Sequence, residues 1–209
     1  MKKLILLLHF VCAVFISVAQ DEQSGELQTL FADRSSLGLY GSLTMGYSQI
    51  HGQDALVSGG RVALIFNHST AVGLAGTGFV SNINNYNWVE EEFPYFSLAG
   101  GYGGIFIEPI VGGLKPVHVS FPIVLGMGGI AHVRNYGRGY FDAPYFDLPE
   151  SDFFFIVEPA VELEFNLARF FRTAATVSYR YTTDIKLLDV HPDVLNGFMF
   201  GLTFKFGKF

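Results

Sequence analysis

The 209-residue chain has one cysteine, one tryptophan and 15% charged residues, and after its first 19 positions it has no long unbroken apolar run. Each shortage removes a class of protein. The lone cysteine, Cys12, sits inside an apolar N-terminal stretch, and residues 20–209 have none, so neither a disulfide framework nor a thiolate metal site is available. No cluster of Lys and Arg occurs and no zinc-type spacing of His and Cys, which sets nucleic acid aside. The histidines at 51, 68, 118, 132 and 191 are scattered over separate segments, so no metal or other cofactor is expected. Uncharged stretches do exist. "VHVSFPIVLGMGGIAHV" (117–133), however, carries Pro122, Gly126, Gly128 and Gly129, which do not make a membrane helix.

What is abundant contrasts with these shortages. Half of the residues are apolar, with 22 Phe, 10 Tyr and 24 Gly. The first residues, "MKKLILLLHFVCAVFISVAQ", combine Lys2 and Lys3, an apolar stretch and Ser17-Val18-Ala19, the layout of a signal peptide cleaved after residue 19. Without residues 1–19 the chain keeps 11 Lys+Arg against 19 Asp+Glu, a net charge of −8. An exported, acidic chain that is also this apolar needs a nonaqueous surface to put its Phe against.

The C-terminal "NGFMFGLTFKFGKF" shows how that surface is built. Phe198, Phe200, Leu202, Phe204 and Phe206 take every second position, as in a strand with two unlike faces. Eight such segments are expected, near 37–49, 56–67, 70–81, 94–108, 117–133, 153–167, 171–183 and 196–208. "NHST", "IVGGLKP" and "ARFF" read as short turns. "IHGQDA", "NINNYNWVEEEF", "RNYGRGYFDAPYFDLPESD" and "IKLLDVHPDVL" read as longer loops. Short turns at one end and long loops at the other point to an all-β, transmembrane antiparallel up-and-down barrel of about eight strands, with periplasmic turns and extracellular loops. The expected organisation is a signal peptide over 1–19, a periplasmic lead-in over 20–36 and the barrel over 37–209.

Volume decides which face points inward. The 153–167 segment has eight bulky positions on one face, and an eight-stranded barrel has no room for them inside. The opposite faces then line the lumen with Arg61, Glu108, Glu158, Glu162, Glu164, Arg172, Arg180 and Lys205, four acids and four bases. Burying them unpaired is costly, so a mutually neutralised plug is expected. The repeated "FIEP" (106–109) and "IVEP" (156–159) set Glu108 and Glu158 inward and a proline outward, each site suggesting a bulge or strand end.

Catalytic chemistry is thinly represented. His132 with Ser48 or Ser81 at the outer rim is the one arrangement considered for a nucleophile, in the manner of a lipid A-modifying barrel. No motif supports it, and no catalytic residue is assigned. A narrow channel is disfavoured by the charged plug, and a soluble lipocalin-like carrier would need the apolar faces turned inward. The loop stretches carry Tyr86, Trp88, Tyr95, Tyr136, Tyr140, Phe141, Tyr145 and Phe146. Beside them lie Glu90, Glu91, Glu92, Asp142, Asp147, Glu150 and Asp152. The aromatics suggest an interfacial girdle or, in the 134–152 loop, a sugar- or protein-binding surface, and the acids suggest bridging by divalent cations to an anionic lipopolysaccharide layer.

The last strand resembles the C-terminal recognition signal of outer-membrane barrels through Gly201, Phe204 and Phe206, with Phe209 ending the chain. The layout from 37 to 209 is similar to the small OmpA/OmpX-like eight-stranded barrels. That resemblance implies insertion by the barrel assembly machinery into an outer membrane, contact with its lipid and lipopolysaccharide, and a non-enzymatic structural or loop-mediated role. No second domain follows residue 209 in this sequence, so a peptidoglycan-binding partner is not expected.

Overall fold

The computed structural model divides into Met1–Ser35 and Ser36–Phe209. It describes residues 36–81, 95–135, 150–188 and 190–209, with no side-chain detail at 95–96 and 133–135. The expected signal peptide and nearly all of the lead-in fall outside these residues.

Nine strands occur: β1 Leu37–Ile50, β2 Gln53–Phe66, β3 Thr70–Ser81, β4 Tyr95–Val111, β5 Val117–Ser120, β6 Ile123–Asn135, β7 Ser151–Ala168, β8 Phe171–Thr182 and β9 Gly197–Lys208. All pairings are antiparallel, and β9 pairs with β1, closing the sheet into a barrel without free edges. Among the described residues there is no helix.

The expected fifth segment is two strands lying on one ribbon. β5 and β6 face the same neighbours, β4 and β7, in one continuous register. The interruption is Phe121-Pro122, where proline has no N–H for the ladder. The flanking residues still bond across it, Phe121 N to Pro109 O at 2.9 Å and Ala160 N to Pro122 O at 2.7 Å. The barrel therefore has nine strands on eight ribbons. The other two proline sites divide, one lying at a strand end as expected and one showing no bulge. Pro109 is buried near the end of β4, and pairing of β7 with β8 skips Glu158-Pro159 without a change of register; the register shift falls at Asn166/Ala168.

Two connections also differ. "IHGQDA" shrinks to the two-residue hairpin His51-Gly52, both with positive φ (56° and 71°), the geometry that matches strand twist. Residues 183–188 and 190–196 fold back over the loop end. Ile185, Leu187, Val194 and Leu195 are buried against Ile50, Phe79, Leu98, Ile130, Phe154 and Met199. Polar clasps hold them: Ile185 N donates to Pro192 O at 2.8 Å, Lys186 N to Asp152 Oδ2 at 2.6 Å and Leu188 N to Glu150 Oε2 at 2.9 Å. A second apolar group, Tyr40, Ala63, Ile65, Ala71, Phe106, Ile110 and Val124, lines β1–β4 and β6 toward the turn end.

Alternation sorts the rest. Phe153 is 85% exposed and Phe154 2%; Phe155, Leu163, Phe198, Phe200, Leu202 and Phe206 are likewise outside. The outer surface is not uniform, though. Across β2, β3 and β4 the outward rung is Gly60, Gly76 and Gly103. The next is Ser58, Gly78 and Gly101, continued by Gly129 of β6. A shallow dent of about 450 Å³ lies beside them, bordered by Leu43, Val62, Leu74 and Phe206.

Candidate functional site: the charges inside the barrel

The inward residues of four neighbouring ribbons form one rung. Arg61 on β2 faces Ser42 on β1, Ser42 faces Lys205 on β9, and Lys205 faces Arg172 on β8. Three cations thus stand on one side of the lumen. Three carboxylates stand on the other, Glu108 from β4 and Glu162 and Glu164 from β7. All six are buried or nearly so.

Lys205 is the hub. Its ammonium hydrogen-bonds Glu108 and, at 2.7 Å, Glu164, and lies 2.8 Å from Glu162. A compact point charge with three donors suits three converging carboxylates better than a planar guanidinium would. Arg61 reaches across to hydrogen-bond Glu162, and its Nη2 is 3.5 Å from Thr203 Oγ1. Arg172 lies 3.7 Å from Glu164, donates to Gly113 O at 3.3 Å, and its guanidinium carbon sits 3.9 Å from the centre of the Phe209 ring.

Neutral groups complete the set. The Tyr40 hydroxyl and Ser120 Oγ (2.7 Å) both donate to Glu108. Thr176 Oγ1 donates to Glu162 at 3.3 Å and is 2.8 Å from Thr203 Oγ1, which is 2.9 Å from Thr44 Oγ1. His118 Nε2 lies 3.1 Å from Glu164 Oε2, a contact requiring the Nε2–H form. In that form Arg172 Nη1, 3.4 Å away, is a packing neighbour and not a donor to the ring.

Glu158 and Arg180 lie apart from this cluster. Glu158 accepts from Tyr102 OH at 2.7 Å and from Ser178 Oγ at 2.6 Å. Arg180 donates to Ser48 and lies 6.0 Å from the Phe79 ring centre, with its Nε and Nη1 unpartnered among the described residues. Three acids and three bases therefore form the cluster, while Glu158 and Arg180 stand outside it on separate neutral partners. Except for Arg172 with Glu164, the ion pairs between carboxylates and Arg or Lys do not join adjacent strands. Sequence reasoning missed Tyr40, Tyr102, His118, Ser120 and the threonines. Inward parity on their strands was the available signal.

Glu108, Glu162 and Glu164 each place an oxygen within 4.8 Å of the others, a spacing a cation could use. The Lys205 ammonium stands among these oxygens as a built-in cation.

The other expected residues separate as well. Phe204 and Phe206 belong to the outer row, and Phe171 stacks on Phe206 at 4.7 Å. A Cβ on Gly201 would meet Met45 O at 2.6 Å, so this glycine permits close approach of β1 and β9. Phe209 turns inward instead, stacking on Tyr40 at 5.9 Å. At the rim, Ser48 Oγ donates to Phe198 O at 2.8 Å and Ser81 Oγ accepts from Leu98 N at 2.9 Å, while His132 Nε2 lies 3.3 Å from Leu188 O. Both serines are engaged away from His132. Of the loop residues named above, only Glu150 and Asp152 have described side chains.

No family model matches the chain, and no curated protein does. Solved structures do. Neisserial surface protein A, in its crystal structure, is 10% identical, with 85% of this chain and 100% of that one covered at a TM-score of 0.51. The N-terminal β-barrel domain of Pseudomonas aeruginosa OprF is 11% identical over 83% and 99% at 0.49. Ail, the attachment invasion locus protein of Yersinia pestis, is 16% identical over 81% and 97% at 0.39. At such identity the likeness to the Neisserial protein speaks for backbone architecture alone, and in architecture this chain is a small closed antiparallel β-barrel like that one.

Proposed function

We propose that the chain is an integral outer-membrane protein, exported through residues 1–19, whose lumen is closed by paired charges and whose role is structural or loop-mediated and not enzymatic. One observation carries this reading: the molecule is inverted relative to a protein folded for water. Phe and Leu cover its outside, and three carboxylates converge on Lys205 inside. Only a hydrocarbon solvent makes that arrangement favourable.

Closure rests on three features. The six-charge cluster is neutral and spans the lumen, residues 183–188 and 190–196 cap the loop end, and an interior cavity lined by Thr44, Arg61, Glu158, Glu162 and Ser178 is about 40 Å³. That is space for about one or two waters and not for a hydrated ion path. Contact with outer-membrane lipid and lipopolysaccharide, and insertion by the barrel assembly machinery through Gly201, Phe204, Phe206 and Phe209, belong to the same proposal. Phe209 differs from the other two aromatics in facing inward.

Two measurements test it. The chain is expected to stay with outer membranes after carbonate washing, and release by the wash rejects the membrane assignment. Reconstituted in planar bilayers it is expected to give no steady conductance, and an ohmic pore in the wild type rejects the closed lumen.

A further inference from the structure

Charge is sorted along the barrel axis. At the loop end the described exposed or half-exposed carboxylates are Asp54, Glu150, Asp152, Asp184 and Asp193, with Lys186 the one lysine. At the turn end the exposed charged side chains among the described residues are Lys115, Arg169 and Lys208, and the strand carboxylates there, Glu108 and Glu164, are buried and balanced by Lys205 and Arg172. The carboxylate that ends the chain at Phe209 leaves a surplus of two positive charges among the described residues of this end.

These cations stand together. Asn166 Nδ2 donates to Lys115 O at 2.6 Å, tying the 112–116 turn to the end of β7, where Arg169 follows. Gly207 N donates to Phe170 O at 2.9 Å, tying that turn to Lys208. Apolar side chains alternate with the charges: Leu114 is 79% exposed, Phe170 65% and Leu167 62%. Aqueous exposure of three large apolar groups is unfavourable, and long cationic side chains beside them reach outward from an apolar boundary.

We propose that this arc binds the phosphate headgroups of anionic phospholipids in the leaflet next to the turns. Leu114, Leu167 and Phe170 enter the acyl boundary, and Lys115, Arg169 and Lys208 meet the phosphates above it. The acidic loop end repels the same lipids, so the sorting of charge also favours one orientation. The inference rests on the membrane reading given above.

The test uses the full mature chain in phosphatidylcholine bilayers containing spin-labelled phosphatidylglycerol or phosphatidylcholine. Electron spin resonance reports the relative association of each. Wild type is expected to prefer phosphatidylglycerol by roughly fivefold or more. The triple variant Lys115→Gln, Arg169→Gln, Lys208→Gln is expected to fall to near equal association, with its β circular dichroism retained. Lys186→Gln at the other end should keep the wild-type preference. A wild-type preference in the triple variant, or none in wild type, overturns the proposal. So does inorganic phosphate alone displacing the labelled anionic lipid completely, which marks a free-phosphate site. A chain that enters no bilayer defeats the membrane reading itself; one that enters without preference defeats only this inference.

Discussion

Gly76 and Gly104 lie on adjacent strands and do opposite things. Gly76, on the outer face of β3, has no atom within 4 Å of where a Cβ would stand. Gly104, on the inner face of β4, would drive a Cβ to 2.1 Å from Leu125 O. The same residue type is a bare patch on one side and a steric necessity on the other. The contrast extends over both faces. Outside, Phe, Leu and Gly are interchangeable in the sense that none has a polar side-chain group to satisfy. Inside, the carboxylates are committed to specific neighbours, as Glu162 is to Arg61, Thr176 and Lys205. A small barrel is therefore tolerant toward its solvent and exacting toward its axis.

Substitutions on the two faces sharpen that contrast. The largest effect is expected from Glu162→Ala, which leaves buried Arg61 with the 3.5 Å contact to Thr203 as its one remaining side-chain hydrogen bond among the described residues. Urea unfolding in detergent should show a loss of about 3–5 kcal/mol, and wild-type resistance would mean that water reaches the cluster. Gly104→Ala comes next, because the atoms in its way are backbone and cannot turn aside. A loss of about 1–3 kcal/mol is expected in the same assay, and an unchanged midpoint would show that β4 and β6 can separate without penalty. Gly76→Ala is the smallest and has the opposite sign. Removing a flexible glycine from an open outer position should leave stability unchanged or raise it by about 0.5–1 kcal/mol. A clear destabilisation at that site would mean that something packs on the glycine rungs of β2, β3 and β4.

Much of this architecture was legible in the residues. Period-two alternation located all eight ribbons, and volume placed the Phe rows outside. Parity alone even sets Phe209 opposite Phe206, since they are three apart. Legibility failed where the signal is not periodic. His51-Gly52 looked like part of a loop because a two-residue turn depends on two positive φ angles that the strands on either side enforce. Pro122 looked like a strand interior because a ladder can skip one proline and keep its register. The burial of Ile185, Leu187, Val194 and Leu195 was hidden, because irregular segments bury apolar groups with no repeat to detect.

The interior charges divide in the same manner. The identities and inward direction of Arg61, Glu108, Glu158, Glu162, Glu164, Arg172, Arg180 and Lys205 follow from one-dimensional pattern, because a strand turns every second side chain to the same side. Their partners do not. A neutral set of eight charges leaves the pairings open; closure brings Arg61 of β2 and Lys205 of β9 across to the β7 glutamates, beside Arg172 of β8 on Glu164. By itself the sequence determined which face turns outward and which charges lie within. Only the closed sheet decided that Lys205 meets three carboxylates while Arg180 stands apart on Ser48, because cross-lumen distances depend on barrel curvature and stagger, which no local repeat encodes.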